Sequence, residues 1–172
     1  MSNRETGLFS LPPRLSVRKT LGAWDSKILL AACMYAEARG EGSVGMRAVG
    51  HVVMNRANRR QTFAKTEILR AKQFSWVDVS DPNFWAVLSL LGAGFGAAAG
   101  LPPQWVQALR FAGMLLKGTG PADPTNGADH YANLPLIRKQ RDGKLPRWIT
   151  RALKRGEDTC VIGHHTFFRI DG

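Results

Sequence analysis

The stretch from Asp25 to Gly40, DSKILLAACMYAEARG, constrains the chain more than any other segment. Asp25 or Ser26 supplies an N-cap, apolar residues recur at helical spacing, and Gly40 ends the run. Cys33 lies inside that apolar pattern, where a thiol serves as a small buried hydrophobe. One residue breaks the pattern. Glu37 follows Met34 by three positions, Cys33 by four and Leu30 by seven, so its carboxyl group sits on or beside the buried stripe. It also lies in the last turn, where the helix dipole disfavours negative charge. Desolvation and dipole both raise its pKa. A carboxyl group kept protonated near neutral pH is what a general acid for glycoside cleavage needs. The plainer alternative is a carboxylate satisfied by nearby backbone or by Arg39. Glu41, four residues on, is the possible second carboxylate of a glycosidase pair. Gly40 interrupts the helical register between the two, which favours a structural role for Glu41, as a cap or a partner of Arg39.

Around this helix the sequence predicts an α+β fold, mostly α, in one domain over 23–172 behind an irregular leader at 1–22. A second helix covers about Val44 to Ala57, with Ala48, Val52 and Asn55 on one stripe. A third begins after Pro102-Pro103, with Trp105, Leu109, Ala112 and Leu116 at helical spacing. GTGPADPTNGA is a turn-rich loop, and the β-branched, aromatic TCVIGHHTFFRI reads as one or two short strands. Phe84 to Leu101 carries no charge but is broken by glycines, which favours a loop packed on the core over a membrane span. Two cysteines, Cys33 and Cys160, imply no disulfide framework.

Charge is the other strong constraint. The net charge is +11, and it is concentrated in two zones. Residues 39–72 hold eight Lys and Arg against Glu41 and Glu67; residues 138–155 hold eight against Asp142. Between them, Gln73 to Leu109 contains no Lys or Arg. Such a balance implies a polyanionic partner: nucleic acid, acidic lipid or an anionic wall polymer. A basic, non-enzymatic nucleic-acid binder is one alternative class, although no recognition motif accompanies the charge. A membrane-permeabilising role for 138–155 is another, since Leu145, Trp148, Ile149 and Leu153 form a small helical stripe.

The run MYAEARGEGSVGMRAVGHVVMNR resembles the opening of the cell-wall hydrolase family named for spore-cortex-lytic enzymes. The motifs are Ala36-Glu37-Ala38-Arg39-Gly40-Glu41, Ala48-Val49-Gly50 and Asn55-Arg56, followed in order by Gln73-Phe74-Ser75, Asp123 to Ala128, His130-Tyr131 and Ile162 to Phe168. Four blocks in order are far more specific than any one. The resemblance implies a lysozyme-like domain that cuts the MurNAc–GlcNAc bond of peptidoglycan, with Glu37 as the catalytic acid. It implies a lytic transglycosylase working with one carboxyl group, or a muramidase recruiting Glu41, Asp78 or Asp123 to hold water. A phage endolysin for host lysis is the expected setting, with a virion-associated or prophage-related wall enzyme as alternatives. The start of the chain shows no apolar h-region. Synthesis in the cytoplasm, and action in the periplasm or wall after holin-type release, is therefore the expected route.

Matched positions and side-chain chemistry nominate Gln73, Ser75, Asn126, His130, Tyr131, Asn133 and His164 as substrate-binding residues. Asn126-Gly127 is also a strong turn pair, and turn formation is the stronger reading for Asn126. Phe74 is expected to anchor its segment in the core. His164 and His165 are adjacent, so on a strand they would point to opposite faces. His51, His130, His164 and His165 have no metal-site spacing, so no metal or other cofactor is expected, and His51 and Asn55 suit a polar contact inside the fold. The expected partner is peptidoglycan, with anionic wall or outer-membrane polymers held by segments 39–72 and 138–155. Specific nucleic-acid binding is not expected, and the chain is expected to act as a monomer.

Overall fold

The computed structural model describes Lys19 and residues 21–92 and 100–170. Most of the expected leader, and 93–99 of the apolar segment, lie outside the described residues. Helix α1 (Ser26–Ala38) runs through the centre, with every residue from Leu29 to Ala36 buried. Asp25 caps it, its carboxylate accepting from the Lys27 N–H at 2.8 Å. Helix α2 (Gly42–Arg59) follows a 3-10 turn at Arg39–Glu41 and packs on α1. Helix α5 (Pro103–Leu116) packs on both. This three-helix junction is close because of Gly50, where a Cβ would come within 2.6 Å of Leu115 Cδ1 and 3.0 Å of Met34 Sδ. Helices α3 (Ala64–Leu69) and α4 (Pro82–Gly92) complete the main core, with Ile68, Phe84 and Val87 buried.

The second layer is a small antiparallel sheet of β1 (His130–Ala132), β2 (Asp158–Ile162) and β3 (His165–Phe168), in the order β1-β3-β2. Tyr131 pairs opposite Phe167. One sheet face sends Phe167 against Ala48 and Val52 of α2. On the other, Ala132 and Phe168 pack with Leu134 of α6 (Leu134–Gln140) and with Ile149 and Ala152 of α7 (Arg147–Arg155). The sheet therefore lies between α2 and the α6–α7 pair.

The mostly α, α+β expectation holds, and the three expected helices, which are α1, α2 and α5, and the terminal strands fall where the sequence puts them. Ala48 and Val52 are buried, and Asn55 on the same stripe is hydrogen-bonded inside the fold. Three expectations are corrected. The apolar segment starting at Phe84 begins as helix α4, because Pro82 suits a first helical turn and Phe84 and Val87 have a core to enter. None of the described helices is long and apolar enough to cross a membrane. The buried stripe of α5 is Trp105, Ala108, Ala112 and Leu115, while Leu116 is exposed. Finally, the apolar side of 138–155 faces inward: Ile149 is fully buried, with Leu145 and Leu153 packed beside it.

Candidate active site

Glu37 emerges from the last turn of α1, half-buried, at the junction of the helical core and the sheet. Tyr131, from β1, donates its hydroxyl hydrogen to Glu37 Oε2 at 2.8 Å. Oε1 is buried. Burial pushes the carboxyl group above its ordinary range, and the charge of Asp81 adds to the push. The Tyr131 hydrogen bond, the Trp76 backbone N–H and the charge of Arg56 pull it back without cancelling the rise. Burial and the neighbouring Glu37 hold the Tyr131 phenol well above its usual range, so it remains a donor. The result is a buried carboxyl group, oriented by Tyr131 at Oε2 and with a raised affinity for a proton.

Several elements build this environment. Tyr131, His165 and Phe167 share one sheet face, with the His165 ring 5.1 Å from that of Tyr131 at 74°. His165 is buried, its Nδ1 has no partner among the described residues, and burial lowers its pKa, so it sits neutral. Arg56, from α2, is buried with its guanidinium 5.3 Å over the Phe74 ring, and donates from Nε to the Asp129 carbonyl. Trp76 is fully buried in the 3-10 turn Ser75–Val77, and Phe74 just before it anchors that segment in the core. Arg39 ties the end of α1 to α4 by donating to Asn83 Oδ1 at 2.7 Å.

Glu41 serves a different contact. Its Oε2 accepts from the His164 backbone N–H at 2.9 Å, and its Oε1 lies 3.0 Å from His164 Nδ1. Burial alone would raise its pKa, but the contacts with His164 outweigh that and hold the carboxylate below its ordinary range. The approach depends on Gly163, at φ +58°, where a Cβ would fall 1.6 Å from Glu41 Oε2. Glu41 thus joins the entry of α2 to the β2–β3 turn. Asp123 is likewise committed, accepting from Asn55, Gly127 and both donors of Thr125 to organise the 123–128 turn. Asp78 receives the backbone and hydroxyl of Ser80.

The nominated substrate residues are dispersed. Tyr131 meets Glu37 directly, and Ser75 is exposed on the turn that carries Trp76. Gln73 is half-buried two residues before Ser75. Asn126 is an exposed turn residue at φ +55°, in line with the turn reading. Asn133 caps α6, accepting from the Leu136 N–H at 3.0 Å. His130 points to the opposite sheet face from Tyr131, beside Asp129 and 5.6 Å from the Trp148 ring. His164 precedes β3, exposed apart from its hold on Glu41, and it is His165 that faces Tyr131. His51 contacts the Pro121 carbonyl at 3.1 Å, as a polar contact inside the fold requires. A cavity of about 460 Å³ between α2 and the end of α5 includes His51, Asn55 and Lys117 but none of the residues around Glu37. Among the described residues no three His, Cys, Asp or Glu side chains converge as a metal site.

The sequence did not single out Arg56, Trp76 or Asp81, and of the histidine pair it nominated His164 where the structure turns His165 toward Tyr131. Arg56 carried a signal, as the second half of the Asn55-Arg56 motif, but its charge placed it with the surface cations.

A helical domain with a small sheet presents a half-buried glutamic acid of raised pKa beside a phenol. The family model for cell wall hydrolases matches residues 40–168, and the chain belongs to that family. Peptidoglycan is accordingly its substrate, and degradation of the cell wall its role. The matched span begins three residues after Glu37. No curated protein and no solved structure matches the chain.

Proposed function

We propose that the protein cleaves the MurNAc–GlcNAc β-1,4 bond of peptidoglycan in a lysozyme-like domain, with Glu37 as general acid, and that it is deployed as a phage endolysin in host lysis. The observation that carries this reading is the Glu37 carboxyl group, lifted in pKa by burial and oriented by Tyr131. In the first step protonated Glu37 donates to the bridging oxygen as the C1–O bond breaks. The resulting carboxylate, stabilised by Tyr131, then takes a proton. The lytic transglycosylase reading takes it from the C6 hydroxyl of the same sugar, whose oxygen closes on C1 as a 1,6-anhydro ring. The muramidase reading takes it from water. The first needs one carboxyl group, and it is favoured by the engagement of Glu41 with His164 and of Asp123 with its own turn. Access to the wall from the host cytoplasm through a holin-made lesion completes the proposal.

Mass spectrometry of fragments from sacculi tests it. Anhydro-muramyl ends are expected; reducing muramyl ends would select the muramidase, and cuts only at peptide bonds would overturn both. Glu37→Gln should lower turnover by at least about a thousandfold while preserving the fold. Because the folded-state pKa of Glu37 is raised, the stability it contributes is present below the ordinary carboxylate range and lost as pH rises through the raised value. The neutral Gln variant should therefore match or exceed the wild-type Tm at pH 8. An active Glu37→Gln enzyme would remove Glu37 from the role of acid.

A further inference from the structure

Helices α6 and α7 and the turn between them carry eight cations from Arg138 to Arg155, all exposed. Only Arg155 has a carboxylate partner among the described residues, Glu157 at 3.4 Å. Arg138, Lys139, Arg141, Lys144, Arg147, Arg151 and Lys154 are left facing solvent. Arg147, Arg151 and Lys154 follow one face of α7, a helix about 13 Å long. The apolar side of α7 is spent inside the fold, on Ile149, Ala152, Leu145 and Leu153. Trp148 and Leu136 are the large hydrophobes left exposed on this pair of helices. A bilayer partner calls for an apolar face to bury alongside the charge. This surface offers charge with almost no such face, which fits a hydrated polyanion. It also lies across the sheet from Glu37, because α7 packs on the Phe168 side and Tyr131 faces the other.

We infer that the outward face of α6–α7 is a second, non-catalytic docking surface for peptidoglycan. It takes the carboxylates of stem peptides on strands neighbouring the one in the catalytic site. This inference rests on the proposed function and names the part of the substrate that holds the enzyme in the mesh. Exposed guanidinium and ammonium groups pair with carboxylates weakly one at a time, at about 0.2–1 kcal/mol each. Several together hold the protein while each exchanges freely, so binding is salt-sensitive and leaves the enzyme mobile.

The test uses Glu37→Gln protein, so that bound wall is not cut, with and without the triple change Arg147→Gln, Arg151→Gln, Lys154→Gln. Pelleting with intact sacculi at low salt should show Kd weaker by roughly tenfold in the triple variant. On glycan strands stripped of stem peptides by an amidase, the two proteins should bind alike. Equal binding to intact sacculi, or the same deficit on stripped glycan, would overturn the inference. So would a larger deficit on phosphatidylglycerol vesicles than on sacculi, which would identify a membrane surface as the partner. Failure of the functional reading appears elsewhere, as uncut sacculi in the wild-type fragment assay, and leaves the binding result intact.

Discussion

The two basic zones carry the same number of cations, yet they are physically unlike. In 39–72 the charges are largely used within the fold. Arg39 bridges α1 to Asn83, Arg47 lies 5.7 Å from the Phe111 ring, and Arg56 is buried over Phe74. Arg59 pairs with Asp129, Arg60 and Arg70 share Glu67, and Lys65 donates to the Trp24 carbonyl. In 138–155 a single pairing, Arg155 with Glu157, is made among the described residues. The expectation that both zones would hold an anionic polymer is therefore proposed only for the second. A charge count says how strongly a segment repels itself; whether it is structure or surface depends on where the countercharges lie. The first zone also reaches the chemistry, since Arg56 is one of the groups that lowers the Glu37 pKa.

The largest difference between the zones should appear in stability. Glu67 is fully buried, with Arg60 Nη1 at 2.5 Å and Arg70 Nη2 at 2.9 Å. Glu67→Ala leaves a cavity and two guanidinium groups without their acceptor. Both arginines are partly exposed and can rehydrate, so the cost falls toward the low end for a broken buried pair, about 3 kcal/mol. Asp142→Asn, which removes the only acid within the second zone and keeps a side chain that tolerates the φ of +49° there, should change stability by less than about 0.5 kcal/mol. Urea denaturation of the two variants measures both. A cost under about 1 kcal/mol for Glu67→Ala would break the contrast.

What could be read from the sequence follows the same division. Glu37 was legible because three apolar neighbours at helical spacing put a carboxyl group where water is scarce, and local periodicity is enough for that. Arg56 was not legible, because its status depends on Phe74 and the Asp129 carbonyl, which only the tertiary fold brings to it. The histidine pair shows how one turn changes an outcome. Gly163 places the turn so that β3 begins at His165, which turns His165 toward Tyr131 and leaves His164 to Glu41. Asn133 did carry a local signal: Asn followed by Leu-Pro is a helix start, and the structure uses it as one. Helix α4 was hidden by its downstream glycines, although Asp81 and Pro82 mark its beginning and Asp81 accepts from the Asn83 N–H.

A smaller effect should distinguish the zones through pH. Loss of activity at high pH marks ionisation of Glu37, and Arg56 lowers the pKa at which that occurs. Arg56→Met should move this limb upward. Arg151→Met should leave it in place, because α7 lies across the sheet from Glu37. Tyr131→Phe, which removes the hydrogen bond to Oε2, should move the limb in the same direction and serves if Arg56→Met does not fold. The profile is read from clearance of a sacculus suspension at constant ionic strength. A limb that moves down in Tyr131→Phe, or moves equally in Arg56→Met and Arg151→Met, would undo the electrostatic account.

The smallest effects sharpen the comparison most finely, because they have opposite signs within one helix. Arg147 stands in the first turn of α7, where the helix dipole opposes a cation, and it has Arg151 one turn away as a like-charged neighbour. Lys154 stands in the last turn, where the dipole favours a cation. Arg147→Gln should therefore stabilise the protein by about 0.3 kcal/mol, and Lys154→Gln should destabilise it by a similar amount. Both effects should shrink toward zero in 1 M NaCl, where screening acts within about 3 Å. The loss in Glu67→Ala should persist there, because a cavity and a buried contact are not screened. Paired urea titrations at low and high salt measure all three. Salt-independent effects at Arg147 and Lys154 would mean that these side chains are held by the fold, and the second zone would then resemble the first.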